Sequence, residues 1–136
     1  MSLMNMVIRY IFLTMTMIKA FTDLQQSRKL AKILPLESAD MYYFLDPTPA
    51  GNIYHLTIQR VDVGIKNLPH YDEGDIPCWS LASLLSVLPD YTLQSSTDGK
   101  VFVVCESKKP MISDAYDNPV DACVAMIEKL HELKML

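Results

Sequence analysis

The segment from Asp75 to Leu136 constrains the fold more than any other part of the chain, because each of its boundaries carries its own chemical signal. Asp75-Ile76-Pro77-Cys78-Trp79-Ser80 opens an apolar run that stops at Pro89. A proline suited to a first helical turn, with an acidic residue near the positive helix end, predicts a helix over 78–88. Trp79, Leu81, Ala82, Leu84, Leu85, Val87 and Leu88 make that helix apolar almost all round, so it is expected to be buried on more than one side. Tyr91–Ser96 and Val101–Glu106 are β-prone runs on either side of Asp98-Gly99, a strong short-range hairpin signal. Asn118 as cap, Pro119 at the first helical position and Asp121 at the third open a final helix over 119–134. Val120, Cys123, Val124, Ile127 and Leu130 trace its inner face, and Lys134 marks where that face meets solvent.

The first half reads in the same way. Thr22 followed by Gln25 predicts a capping box and a helix over 22–34, closed by Pro35. Leu24, Ser27, Leu30, Ala31 and Leu34 share one face, with Arg28, Lys29 and Lys32 turned to water. Residues 40–45 are aromatic and β-prone, Asp46–Asn52 is dense in turn formers, and 53–65 reads as a second strand. In that strand Tyr54, Leu56 and Ile58 point one way, and His55, Thr57 and Gln59 the other; a phase shift near Asp62 or Gly64 suggests a bulge. Residues 67–74 and 110–117 read as loops. Strands joined by tight turns are antiparallel. The expected fold is therefore α+β: antiparallel hairpins 40–45/53–65 and 91–96/101–106, layered with three helices (22–34, 78–88 and 119–134). The pattern leaves the strand order open.

Residues 1–18 form an apolar leader. Met1-Ser2-Leu3 reads as an expression remnant, and Met15 and Met17 are alternative starts. Residues 4–18 are thus expected to be an upstream extension of the reading frame, with a docked strand or helix as the alternative, and 19–136 as a single domain. Arg9 and the apolar run around it invite a signal-peptide reading, but Thr14 and Thr16 interrupt the run and no small-x-small cleavage site follows. The run is also far short of the roughly 20 apolar residues of a membrane span. The expected location is the cytoplasm, with no membrane association.

Thr22–Pro35, Ser38-Ala39-Asp40-Met41-Tyr42-Tyr43, Ile76–Leu85 and Asp117–Ile127 together resemble a family of small uncharacterised proteins from prophage and mobile-element regions of gut anaerobes. The resemblance covers 19–136, and Pro77-Cys78-Trp79-Ser80-Leu81 and Asn118-Pro119-Val120-Asp121-Ala122 are its specific parts. The second half also looks like the phage ABA sandwich domain, a sheet held between helices. These resemblances imply a fold and a genomic context, and they carry over no catalytic residue.

Few residues suggest chemistry. Cys78-Trp79 at a helix start is the leading candidate, since a helix N-terminus can stabilise a thiolate and papain-like proteases set a nucleophilic cysteine before a tryptophan. That chemistry needs a histidine base, and the one histidine after Cys78 is His131. A packed structural cysteine is the simpler reading. The three cysteines, Cys78, Cys105 and Cys123, lie in apolar runs without a CxxC, which argues against a disulfide framework and a zinc site. His55, His70, Asp72 and Glu73 lack metal-ligand spacing, so no metal is expected. With four glycines and no phosphate-loop motif, no cofactor is expected. Tyr42, Tyr43, Phe44 and Tyr54 could stack on bases but read as packing residues. The net charge of −4 weighs against nucleic acid as a partner. The expected function is a non-enzymatic binding or assembly protein of a prophage or mobile element. It is expected to act on an unknown protein partner and as a homo-oligomer associating through the 4–18 leader. A cysteine-dependent hydrolase using Cys78 and an antitoxin-like or nucleic-acid-associated regulator are the alternatives.

Overall fold

The structure is a computed structural model that describes residues 3–4, 19–58, 74–106 and 109–136. The leader residues 5–18, the strand continuation and bulge expected over 59–65, and His70, Asp72 and Glu73 lie outside the described residues. Along the chain run helix α1 (Leu24–Leu30), a 3-10 turn (Leu36–Ser38), strands β1 (Met41–Thr48), β2 (Gly51–Ile58) and β3 (Ile76–Cys78), and helix α2 (Leu81–Val87). Strands β4 (Tyr91–Ser95), β5 (Val101–Cys105) and β6 (Met111–Ile112) and helix α3 (Pro119–Glu132) follow. The fold is α+β, with the strands divided between two antiparallel sheets ordered β2-β1-β3 and β4-β5-β6.

The most local signals give the closest agreement. Asn118 accepts the Asp121 backbone N–H at 2.9 Å, with Pro119 in the first turn of α3. Val120, Cys123, Val124, Ile127 and Leu130 are buried there, and Ala122 and Met126 join them. The helix ends at Glu132, so Lys134 is not helical: it sits at φ 56 beyond the last turn. In the β4–β5 hairpin Gly99 takes φ +83, the left-handed conformation that costs glycine little. The Asp98 carboxylate accepts from Ser96 Oγ and from the Lys100 N–H, which closes the turn.

Two helix starts differ from expectation. α1 is capped by Asp23, not Thr22: the Asp23 carboxylate accepts the Gln26 N–H at 2.8 Å and Gln26 Oε1 accepts the Asp23 N–H at 3.1 Å. The box is shifted by one residue because Thr22 is fully buried and bonded elsewhere. α1 then loosens into turns after Leu30, short of Pro35. The helix expected over 78–88 begins at Leu81, with Ser80 as its cap. Pro77 and Cys78 belong instead to β3, paired with Tyr42 and Met41. Asp75 is likewise not at a helix end; its carboxylate accepts the Leu45 N–H at 2.9 Å. α2 buries Leu84 and Leu88 but leaves Ala82 exposed, so it is covered on one side more than the other.

β1 runs on to Thr48, through the residues expected to turn, and the reversal falls at Pro49-Ala50. Residues 110–117 contain β6, whose pairing of Ile112 with Val104 and Met111 with Cys105 is too short to show as a periodic pattern. The larger core joins Trp79, Leu84, Val103, Cys105 and the inner face of α3, and Leu30 and Leu34 pack into it. A smaller one gathers Met41, Tyr43 and Cys78 beneath Phe21 and Leu24.

Candidate functional site

Cys78 ends β3, fully buried, where the chain before α1 crosses the first sheet. Thr22 is the hub of its surroundings. The Thr22 backbone N–H donates to the Trp79 carbonyl at 2.9 Å, and the Trp79 N–H returns a bond to Thr22 Oγ1 at 3.1 Å. Thr22 Oγ1 lies 2.7 Å from Ser27 Oγ and 3.5 Å from Cys78 Sγ. A hydroxyl has one proton and two lone pairs. With Thr22 donating to the sulfur, it accepts from Trp79 N and Ser27 Oγ, and its capacity is filled. The Thr22 carbonyl accepts twice as well, from Tyr43 Oη at 2.7 Å and from the Cys78 thiol at 3.3 Å.

This arrangement holds a neutral thiol. Burial pushes the Cys78 pKa up, and the hydrogen bonds from Thr22, Ser27 and Tyr43 only partly offset it. The Tyr43 hydroxyl is likewise pushed up, first by burial and then by the neighbouring thiol. Because Cys78 is in a strand and Ser80 caps α2, the helix-dipole activation suggested by the sequence does not act on this sulfur. The groups bonded to the thiol are hydroxyls and a carbonyl, while His55 and His131 are exposed on β2 and α3. Cys105 and Cys123 are also free and buried, and burial raises both, with Cys123 pushed up to about 12.

The flanks of the cluster are pinned from a distance. Trp79 is fully buried, and its indole N–H donates to Ser38 Oγ at 2.9 Å. The Asp40 carboxylate accepts both the N–H and the hydroxyl of Ser80, so a residue forty positions upstream steadies the start of α2. No run of residues announces either bond, since each joins parts of the chain that are remote in sequence.

A second polar cluster lies where residue 19, α1 and α3 meet. Lys19 Nζ reaches Asp121 at 2.7 Å and Asp23 at 3.1 Å. Gln26 Nε2 and Asn118 Nδ2 each donate to Asp121 at 2.8 Å. Burial disfavours the Asp121 charge, but the bonds from Lys19, Gln26 and Asn118 outweigh it and hold the carboxyl below its ordinary range. Asp23 is depressed in the same way, through the Gln26 N–H and Lys19 against burial. For Lys19 burial acts to lower the pKa, and the two carboxylates more than reverse this. A shallow cleft opens beside the cluster, lined also by Lys29, Tyr116 and Glu128. Both Asp121 oxygens are occupied from within the protein, so the cluster acts as a clamp between α1 and α3.

The remaining candidates separate. Tyr42 and Tyr43 are buried and so present no stacking surface, while Arg28 lies over the Tyr54 ring at 5.5 Å from its centroid. Arg28, expected to face water, is brought to β2 by the packing of α1, a contact that no local pattern announces. His55 Nε2 is 3.4 Å from Asp46 Oδ2 on exposed strand positions. Among the described residues no group of three or more His, Cys, Asp or Glu side chains is placed to hold a metal ion. Nor, among them, is any helix long and apolar enough to cross a membrane.

Both sheets carry exposed apolar side chains. In the β1–β2 register Leu56 stands opposite buried Tyr43 and Ile58 opposite buried Met41, so they share the core-facing side. Ile58 is nonetheless 75% exposed. Tyr54, Leu56 and Ile58 therefore do share a side, but their burial falls away along the strand. In the second sheet Tyr91 and Leu93 stand opposite buried Cys105 and Val103 and are themselves exposed. Compared with known families, curated proteins and solved structures, the chain matches none of them.

Proposed function

We propose that the chain is a non-enzymatic binding or assembly protein of a prophage or mobile element, acting in the cytoplasm and as a homo-oligomer. The observation that carries this reading is the apolar side of each sheet that runs past its helical cover. Leu56, Ile58, Tyr91 and Leu93 are exposed on β2 and β4, and Leu133, Met135 and Leu136 are exposed after α3. Exposed apolar surface of this kind is the usual mark of a surface that meets another molecule. The buried, proton-retaining Cys78 supports an architectural part for the most chemical-looking residue. The apolar leader, 4–18, adds a further segment suited to contact between copies.

Light scattering on the full chain and on a chain starting at Lys19 tests this. An oligomer for the full chain is expected, with a smaller species on removal of the leader. A full chain that stays monomeric up to its solubility limit would remove self-association from the proposal.

A further inference from the structure

We propose that the open edge of β4 is the seat of a symmetric homodimer, in which β4 of a second copy pairs antiparallel to it about Leu93. The inference deepens the assembly reading above and rests on it. Within the described residues β4 ends the order β4-β5-β6, and all five of its residues are exposed. The hydrogen bonds at its two ends show which backbone groups are free. The Glu106 N–H donates to the Asp90 carbonyl at 2.8 Å, and the Ser96 N–H donates to the Lys100 carbonyl at 2.8 Å. Backbone groups alternate in direction along an antiparallel strand. Thr92 and Gln94 therefore spend theirs on β5 with Asp90 and Ser96, while Tyr91, Leu93 and Ser95 turn theirs outward.

Those three residues match their own reverse. A two-fold axis at Leu93 sets Tyr91 against Ser95 of the second copy, Leu93 against its equivalent, and Ser95 against Tyr91. Every pair is then an outward-facing pair, so the ladder closes without a slip in register. The side chains agree with the backbone. Tyr91, Leu93 and Ser95 stand opposite Cys105, Val103 and Val101 of β5, so they lie on the side of the sheet that packs on α3. In the pair, Leu93 meets Leu93, with the two tyrosines diagonal to them, and the row Val103–Leu93 continues into the second copy. Charge fits as well: Lys100 stands across from Ser96, and the same register brings Asp90 of the second copy to the other side of Ser96.

Among the described residues no strand pairs with this edge. Tyr91-Thr92-Leu93-Gln94-Ser95 contains no charge and no proline, the devices that keep edge strands apart. β2 differs, since it runs at Ile58 into residues outside the described set, whereas both ends of β4 are described.

Sedimentation of the full chain decides the matter. Leu93→Pro deletes an outward N–H and no ladder bond to β5, and Leu93→Lys places two charges on the axis. Each is expected to halve the wild-type mass, with the far-ultraviolet dichroism unchanged. His55→Lys, an exposed position on the other side of β2, is expected to leave the mass as it was. If Leu93→Pro loses its native spectrum, Leu93→Lys alone gives the answer. An oligomer that keeps its mass in the folded Leu93 variants overturns the β4 interface and leaves the assembly reading standing. A wild-type chain that is monomeric at every concentration overturns both.

Discussion

The two sheets are held in different ways. The first meets α1 through a small apolar cluster in which Tyr43 and Cys78 bond to the main chain and side chain of Thr22. The second meets α3 through Val103, Cys105, Val120, Cys123 and Ile127, an apolar contact with buried hydrophobes on both sides. Apolar packing supplies bulk stabilisation and tolerates small adjustments. A saturated polar cluster adds little net energy but allows one placement of its parts, since any shift leaves a buried donor or acceptor alone. The chain before α1 is thus located by bonds, and α3 is located by shape.

This contrast is open to measurement. Ile127→Ala strikes the apolar contact, and denaturant melts are expected to show a loss of about 2–5 kcal/mol; a loss below about 1 would mean the second sheet does not depend on α3 as described. Thr22→Val keeps the shape of the hub and removes its hydroxyl, leaving the Trp79 N–H and Ser27 without their partner. A loss of about 1–3 kcal/mol is expected, and its coupling with Cys78→Ala in a double-mutant cycle is the sharper readout. No coupling would show that the thiol is packed beside the cluster and not part of it.

Asp121→Asn is expected to cost about 1–2 kcal/mol at neutral pH and to flatten the acid limb of stability. The sign follows from the depressed pKa values of Asp121 and Asp23. Their contribution is present above the unfolded value of 3.8 and is lost as pH falls through the lower folded values. Lys19 acts oppositely, contributing fully below 10.5 and losing that contribution as pH rises through its raised folded pKa. A variant that keeps the wild-type acid limb would place the acid sensitivity elsewhere. The smallest effect on stability is expected for thiol reagents. Buried Cys78, Cys105 and Cys123 should stay unmodified in the native protein and all react in denaturant. Rapid native labelling of Cys78 would revive the hydrolase reading.

What could be read from the sequence follows the reach of each signal. Asn118-Pro119 and Asp98-Gly99 act within a few residues, and both elements lie within two residues of expectation. Pro77 suits a first helical turn and a short strand alike. Pairing with Tyr42 decides between them, and that contact is invisible to a local reading. Thr22 and Asp23 are both sound helix caps, and only the burial of Thr22 shows which is used. For Cys78, the sequence reading of a packed residue and the described environment agree, but the hub at Thr22 and the cap at Asp40 had no local sign. The alternation of β2 gave the sides of its residues correctly, and it carried no information on how far the helical layer extends.

The link from Lys19 to Asp121 spans 102 positions, and the helix it reaches is made after both sheets. A ribosome releases the chain in order, so both sheets emerge before the element that covers Val103 and Cys105 exists. Until residues 119–132 leave the exit tunnel, that apolar face lacks its largest helical cover. The second sheet is completed only once that helix has been made, and until then another chain's exposed strand can compete for the same face.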